Sequence, residues 1–240
     1  KKISIIALGW LGEKLYDHLE LNGHDVLGTY NTKKRNKNNQ IQFNFKDKIV
    51  PNEIILSEII IFNLTPSSIN HIDLFQSFIA KTAAKIIFVS STSVYGQLGV
   101  VNEDDIPLPK TSNGKLLLEC EKVLLQRGNS VIIRPGGLYG GERHPGNFLS
   151  GKKEIRDPNA HINLTSRDDL INIIDKVLLS PSPRVINAVN TNHPIKSEYY
   201  IQYCEKNNLA HPSFLISEEE EKNKIVNTKF KDFRVSSPLP

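Results

Sequence analysis

Apolar residues fall in short runs along the chain, and segments with helical periodicity lie between several of these runs. Runs with few polar interruptions are typical of parallel strands that are covered on both faces of a sheet. They occur at residues 3–8, 59–64, 86–89, 131–133 and 185–189. Shorter strands are predicted at residues 26–30, 41–45 and 161–165, and helices over residues 65–84, from residue 167, and over residues 195–208. The pattern predicts an α/β protein with a mostly parallel sheet.

The first 30 residues form the clearest unit of this kind. The strand at residues 3–8 ends at a glycine turn, residues 9–12, and leucines then recur at helical spacing as far as Leu19. An Asn-Gly pair ends this helix, and the strand at residues 26–30 follows it. Together they predict a βαβ unit of the usual length.

The turn between this strand and helix is a candidate phosphate-binding site. Backbone N–H groups at the start of a helix lack intrahelical partners and carry the positive end of the helix dipole, so a diphosphate can bind there. Gly9 permits the close approach of the ligand, and Gly12 permits close packing of helix on strand. The spacing follows the dinucleotide fingerprint G-x-G-x-x-G, with Ala7 in place of the first glycine. Alanine suits most turn conformations except those with positive φ.

We therefore predict that a dinucleotide binds at Gly9, Trp10, Leu11 and Gly12. The alternative is a turn between strand and helix that binds nothing. Leu64 and Thr65 end the apolar run at residues 59–64, and the carboxyl end of that strand should face the cofactor. Both are therefore candidate cofactor neighbours, although a plain helix cap explains Thr65 equally well.

The end of the second strand indicates which dinucleotide binds. Proteins that bind NAD usually place an Asp or Glu there, which holds the ribose hydroxyls. This chain has Asn31, then Lys33, Lys34 and Arg35, and no acidic residue. Cations beside the ribose favour a 2′-phosphate, so NADP is predicted rather than NAD, with Asn31, Lys33 and Lys34 in its site. The alternative is a solvated basic loop.

Composition narrows the class of protein. The chain has 240 residues, of which 39% are hydrophobic and 23% charged, a length that suits either one α/β domain or a domain with a smaller lobe. The chain has 30 Lys and Arg residues and 26 Asp and Glu residues, and this excess of positive charge is too small to indicate nucleic-acid binding. No apolar stretch approaches the roughly 18 residues of a membrane span, and the cysteines and histidines lack the spacing of disulfide frameworks or metal sites. We expect a cytoplasmic protein without a metal, nucleic-acid or membrane partner.

The segment that begins in the apolar strand at residues 86–89 indicates a family. Residues 88–96 read Phe-Val-Ser-Ser-Thr-Ser-Val-Tyr-Gly. They resemble the strand-and-loop signature of extended short-chain dehydrogenase/reductases, the NAD(P)-dependent sugar-nucleotide epimerase and dehydratase family. Further pieces agree in the family's order: Glu103 with Pro107, Arg134-Pro135, Gly137-Leu138-Tyr139-Gly140, and Arg167-Asp168-Asp169-Leu170.

This resemblance covers nearly the whole chain and implies its architecture. We expect a Rossmann-type doubly wound parallel sheet in which residues 1–144 bind NAD(P). Residues 145–240 are expected to form a small C-terminal substrate lobe, partly interleaved with the Rossmann domain. The substrate implied is a small molecule such as a nucleotide sugar.

The resemblance also implies roles for individual residues. Ser91 corresponds to the hydroxyl that hydrogen-bonds the substrate in the family, and Pro135 and Gly136 correspond to backbone that lines the nicotinamide. Three residues on loops at the carboxyl ends of strands are candidate substrate contacts: Tyr95, Tyr139 and Arg143. The alternatives are packing for the two tyrosines and an exposed loop for the arginine.

One part of the family's catalytic machinery has no counterpart in the sequence. The family uses a Tyr and a Lys spaced Y-x-x-x-K on one helix face, where the Lys lowers the Tyr pKa so that the phenolate acts as a base. This chain has Asn113 and Leu117 there, and its one Y-x-x-x-K, Tyr30 to Lys34, ends the second strand. Two functions stay open: an NAD(P)-dependent epimerase, dehydratase or reductase, and a non-catalytic NADP-dependent redox or metabolite sensor.

Overall fold

Strands and helices alternate along most of the chain in the computed structural model, which describes residues 1–47, 49–179, 181–215 and 223–240. The strands are β1 (Lys2–Ile6), β2 (Asp25–Tyr30), β3 (Gln40–Gln42), β4 (Ile59–Phe62), β5 (Lys85–Val89), β6 (Gly99–Val101), β7 (Ser130–Pro135), β8 (Gly137–Tyr139), β9 (Leu164–Ser166), β10 (Val185–Ala188) and β11 (Lys224–Val226). The helices are α1 (Trp10–Leu21), α2 (Asn52–Ile55), α3 (Pro66–Ile69), α4 (Ile72–Ile79), α5 (Ser112–Arg127), α6 (Pro145–Leu149), α7 (Arg167–Leu179) and α8 (Lys196–Lys206).

Seven parallel strands form the central sheet, in the order β10-β7-β5-β4-β1-β2-β3. Ile5 of β1 lies opposite Gly28 on one side and Ile61 on the other. The chain builds outward from β1 through β2 to β3, and then returns to place β4 on the opposite side of β1. The strand order therefore reverses beside β1, and the carboxyl ends of β1 and β4 border the crevice where such sheets bind ligands. The prediction of a doubly wound parallel sheet is confirmed.

The sheet is covered on both faces, which explains the continuous apolar runs. Successive residues of a strand point to opposite faces, so Ile5 packs in one hydrophobic cluster and Ile6 in the other. Helices α1 and α7 supply the first cluster, and α4 and α5 supply the second. A strand buried on both faces favours apolar residues at successive positions, as β4 has throughout and β1 has apart from Lys2 and Ser4.

The C-terminal half contributes both to the central sheet and to smaller units. Strand β10 pairs with β7 in the central sheet, and β8 pairs with β9 outside it. Strand β11 pairs with β6, which brings residues 224–226 back to the loop that follows β5. The division of the chain at residue 144 stays a prediction.

Three predicted elements differ from the structure in their limits. The helix predicted over residues 65–84 is two helices, α3 and α4, because Asn70 adopts φ +64°, a left-handed conformation that ends the first of them. The strand predicted at residues 41–45 is β3, which ends at Gln42, and Phe43 and Phe45 pack inward from the loop after it. The strand predicted at residues 161–165 is β9, displaced towards α7.

Candidate functional site

A cavity of about 590 Å³ lies at the carboxyl ends of the central strands, against the first turn of α1. Most of the residues predicted for the cofactor and substrate site line it: Gly9, Trp10, Leu11, Leu64, Thr65, Ser91, Pro135, Gly136 and Arg143. They come from the loops after β1, β4, β5 and β7 and from the turn after β8. The parallel sheet therefore brings together side chains that are far apart in the sequence.

The glycine turn begins with an unusual residue. Ala7 has φ +78°, a conformation that L-residues rarely adopt. Hydrogen bonds to β2 hold it there, since Ala7 N donates to Thr29 Oγ1 at 2.9 Å and Leu8 N donates to the Thr29 carbonyl at 2.7 Å. The alanine that replaces the first glycine of the fingerprint thus adopts positive φ, against the ordinary preference of that residue.

Gly9 and Gly12 have different structural roles in this turn. A Cβ built on Gly12 would lie 2.2 Å from the Ala7 carbonyl oxygen, so that glycine allows α1 to pack against the end of β1. A Cβ built on Gly9 would meet nothing within 4 Å, and its φ of −89° suits any residue. Gly9 therefore borders open space at the helix N-terminus, which is the space a diphosphate group requires.

A second, smaller pocket of about 210 Å³ continues from the same crevice beside β2. Its polar lining consists of hydroxyl, amide and ammonium groups: Thr29, Asn31, Asn44, Lys46, Ser67 and Ser68. Among the described residues that line it there is no Asp or Glu. Asn31 and Leu64 were predicted from the sequence; Lys46 was not, because it follows the third strand rather than the second.

The basic segment after β2 does not line either cavity. Arg35 is turned away, since its Nε lies 3.0 Å from Glu13 Oε1 and donates to the Leu8 carbonyl at 3.0 Å. Lys33 and Lys34 are exposed and are absent from the lining of both cavities. The structure therefore places Asn31 in the small pocket but leaves the two predicted lysines on its outside.

Ser91 lies on the loop after β5, where its hydroxyl accepts a hydrogen bond from Ser93 N at 3.1 Å. Helix α5 packs closely against this loop, because a Cβ on Gly114 would lie 2.5 Å from the Ser93 carbonyl oxygen. That approach brings Asn113 and Leu117 into the cavity wall beside Ser91. None of the described residues that line the cavity is a His, Cys, Tyr, Lys, Asp or Glu.

Tyr95 and Tyr139 lie outside this cavity. The Tyr95 side chain is 1% exposed, and its hydroxyl accepts from Arg134 Nη1 at 2.5 Å and lies 3.1 Å from Asn187 Oδ1. Burial raises the pKa of Tyr95, so its phenol is a weak acid. Tyr139 is also buried, its pKa is raised by burial and by Asp169, and its hydroxyl has no hydrogen-bond partner among the described residues.

A buried polar network supports the wall of the cavity from behind. Ser90, which lines the cavity, donates to Glu121 Oε1 at 2.6 Å, and Arg134 Nη2 lies 2.6 Å from Glu121 Oε2. Glu121 and Arg134 are 0% and 3% exposed, so this ion pair is almost fully removed from water. The sequence carries no local signal for the pair, because its members lie on α5 and β7 and meet only in the folded chain.

Glu103, a residue of the family resemblance, ties the C-terminal segment to this region. Its carboxylate accepts hydrogen bonds from Asn187 N at 2.8 Å, Thr228 Oγ1 at 2.6 Å and Lys229 N at 2.9 Å. The site is therefore braced by residues from both halves of the chain.

Neither a metal cluster nor a membrane-spanning helix is found in the described parts of the chain. No three His, Cys, Asp or Glu side chains among those residues lie close enough together to hold a metal ion. Of the helices described, none is both long enough and apolar enough to cross a membrane.

Comparison with known proteins gives relatives in sequence and in fold. No family model matches the chain. It is 30% identical over 251 residues to Protein YeeZ of Escherichia coli, an alignment that covers 95% of this chain and 91% of YeeZ. A putative NAD-dependent epimerase/dehydratase from Methylobacillus flagellatus superposes with a TM-score of 0.78 at 22% identity, covering 94% of this chain and 88% of the other. MoeE5 in complex with UDP-glucuronic acid and NAD gives 0.80 at 16% identity, covering 99% and 95%. At these identities the two structures establish the fold, which is that of the NAD-dependent epimerase/dehydratases.

Proposed function

This chain belongs to the family of the Escherichia coli protein YeeZ, and we propose that it binds NADP together with a small-molecule substrate of the nucleotide-sugar class. The observation that carries the proposal is the open space over Gly9, at the N-terminus of α1 and within a cavity of about 590 Å³. The neighbouring fold supports it, because MoeE5 binds NAD and UDP-glucuronic acid on the same architecture.

The residues present fit a dinucleotide along the crevice. The first turn of α1 offers backbone N–H donors and the positive end of the helix dipole to a diphosphate. Leu64, Thr65, Pro135 and Gly136 line the same cavity as this helix turn. A bound nicotinamide would supply hydride transfer chemistry.

The small pocket beside β2, and not the basic segment after β2, supports selection of NADP. The described residues that line it include one cation, Lys46, and the amides of Asn31 and Asn44, with no carboxylate. A carboxylate is the group that holds unmodified ribose hydroxyls in NAD sites, and it would repel a 2′-phosphate. Lys46 and the serine hydroxyls instead supply donors that a phosphate requires.

The substrate side of the cavity is suited to hydrogen bonding rather than to proton transfer. Ser91, Asn113 and Leu117 line it. By the family resemblance, Asn113 and Leu117 stand at the positions of the Tyr and the Lys. These groups can orient a sugar hydroxyl or carbonyl. None of them is a base at neutral pH.

The residue types that line the cavity also favour a second function. Without an ionisable group among the described lining residues, apart from Arg143, the cavity is suited to a sensor that binds NADP and a metabolite without interconverting them. An enzyme with this lining requires water or the substrate itself to carry the proton. The two functions differ in turnover and share the dinucleotide site.

The dinucleotide site is tested by titrating the protein with NADPH and NADH while the fluorescence of Trp10 is followed. Trp10 is the single tryptophan of the chain and lines the cavity, so bound ligand should change its emission. We expect tighter binding of NADPH, and roughly tenfold loss of that preference in Lys46→Gln. The control Lys34→Gln removes the same charge outside both cavities and should keep the preference. Equal affinity of the wild type for both nucleotides would exclude NADP selection.

Turnover separates the enzyme from the sensor. The protein is loaded with NADPH or NADP, mixed at catalytic concentration with UDP-glucose and other nucleotide sugars, and followed by absorbance at the nicotinamide band and by product analysis. Conversion of a sugar assigns it to the enzymes. If the wild type converts none but Asn113→Tyr combined with Leu117→Lys does, the missing pair is the reason and the sensor function is favoured.

A further inference from the structure

Two arginines converge on one aromatic ring at the edge of the cavity. The guanidinium carbons of Arg143 and Arg167 lie 4.9 and 4.6 Å from the centroid of the Trp10 indole. The two carbons are therefore less than about 10 Å apart. Trp10 and Arg143 both line the cavity, and Trp10 is the first residue of α1.

Among the described residues, none forms an ion pair with either arginine. Neither guanidinium lies within 4 Å of a carboxylate oxygen in the parts of the chain that the structure describes. Arg167 Nε is buried and has no hydrogen-bond partner among those residues, and Arg167 Nη1 reaches only the Trp10 carbonyl, at a long 3.4 Å. Packing on the indole explains where each guanidinium lies, but it supplies no acceptor for the buried Arg167 Nε and no opposite charge for either group.

Local structure fixes the position of Arg167. It is the first residue of α7, directly after the short strand β9, and the turn at Gly140 and Gly141 packs on it. A Cβ on Gly140 would lie 3.3 Å from Arg167 Cβ, and one on Gly141 would lie 3.4 Å from Arg167 Nη2. Both glycines also have positive φ, so the turn that carries Arg143 is shaped to lie against Arg167.

Three sources of positive potential thus meet at one place: Arg143, Arg167 and the amino end of α1. Arg167 is half-buried and Arg143 is exposed, so water screens part of this charge. Two like charges on one ring still repel each other, and a bound anion would relieve that repulsion. Guanidinium groups bind phosphate oxygens with two parallel hydrogen bonds, which suits a group with many acceptors.

We propose that Arg143 and Arg167, held on the indole of Trp10, form an arginine clip that binds a diphosphate group at the mouth of the cavity. The clip deepens the proposed function and rests on it for the identity of the ligand. The same chemistry can come from the diphosphate of the dinucleotide or from that of a nucleoside-diphosphate substrate, and the two sources are distinguished by experiment.

The test is isothermal titration calorimetry with three probes, NADPH, UDP-glucose and inorganic pyrophosphate. The proteins compared are the wild type, Arg143→Gln, Arg167→Gln and the control Arg156→Gln. Arg156 is exposed and does not line the cavity, so its variant removes the same charge at a distance. We expect each clip variant to bind pyrophosphate about tenfold more weakly, and the control to bind within about twofold of the wild type.

The other two probes identify the source of the diphosphate. Loss of NADPH affinity alone assigns the clip to the cofactor, and loss of UDP-glucose affinity alone assigns it to the substrate. Arg167→Lys keeps the charge and stem but lacks the planar fork, so its affinities should lie between those of the wild type and Arg167→Gln. That variant also decides the matter if Arg167→Gln fails to fold.

The clip is overturned if all variants bind pyrophosphate, NADPH and UDP-glucose as the control does. Failure of the proposed function gives a different result. In that case the wild type binds no NADPH, while pyrophosphate binding that weakens in the clip variants still supports the clip, and pyrophosphate binding that does not weaken overturns it.

Discussion

At Ala7 the chain keeps a side chain in a backbone conformation that favours glycine. A left-handed conformation costs an L-residue about 1–2 kcal/mol, and Ala7 adopts it at φ +78° because two hydrogen bonds to Thr29 fix the turn. The carbonyl of Ala7 lies against Gly12, so this conformation belongs to the close packing of α1 on the end of β1.

Replacement of Ala7 by Gly should therefore stabilise the protein. Relief of the left-handed conformation is opposed by the larger conformational entropy of glycine in the unfolded chain, about 0.5–1 kcal/mol. We expect the free energy of unfolding, measured by urea denaturation, to rise by up to about 1 kcal/mol. Ala80→Gly is the matched control, since Ala80 is exposed with φ −66° and should lose stability. A loss for Ala7→Gly as large as that of the control would show that Ala7 is not strained.

The roles of individual residues could be predicted where the residues belong to a short sequence motif with a known function. Gly9 and Gly12 follow from a local fingerprint, and the structure gives the two glycines distinct surroundings. Arg167 belongs to a motif of the family resemblance, but that motif did not indicate its contact with Trp10, which lies 157 residues away in the sequence. Ala7 differs from both, because alanine ordinarily avoids positive φ and hydrogen bonds to the neighbouring strand override that preference.

At the scale of elements, α5 and β7 are joined by one buried ion pair. Arg134 contacts both carboxylate oxygens of Glu121, at 3.1 and 2.6 Å, and Ser90 donates a third hydrogen bond to the same carboxylate. A buried pair of this kind contributes little net stability relative to apolar side chains, but loss of one member leaves a charge without a partner.

Breaking this pair should be more harmful than removing it. We expect Arg134→Met to lower the free energy of unfolding by about 3–5 kcal/mol, because the Glu121 carboxylate then stays buried and unpaired. The double variant Glu121→Leu with Arg134→Met should recover a large part of that loss in chemical denaturation. Losses that simply add in the double variant would contradict the coupling.

Elements were predictable where one interaction dominates. The buried strands β1, β4, β5, β7 and β10 follow from apolar runs, since burial on both faces favours apolar residues at most of their positions. The other elements could not be predicted fully, because they depend on the conformation of single residues or on pairing between distant segments. Asn70 divides a predicted helix in two through its left-handed conformation, and β6 and β11 form a strand pair that neither short segment indicates alone.

At the scale of the whole molecule, the order of the strands creates the site. Because β4 lies on the far side of β1 from β2, the loops after β1 and β4 separate and leave the crevice that both cavities occupy. The family resemblance implied this topology, and the fold bears it out. Periodicity alone does not specify strand order, since any order of parallel strands satisfies the same apolar pattern.

The central claim is that a dinucleotide binds with its diphosphate in the open space over Gly9. A methyl group at this position meets no protein atom within 4 Å and suits φ −89°, so Gly9→Ala should keep the fold, with a melting temperature within a few degrees of the wild type. The same methyl group would occupy the space assigned to the diphosphate.

The most direct test is calorimetric titration of the wild type and Gly9→Ala with NADPH. The account predicts that the wild type binds and that Gly9→Ala binds at least about tenfold more weakly while it remains folded. Equal affinity in the two proteins, or no heat of binding in the wild type at millimolar NADPH, would contradict it.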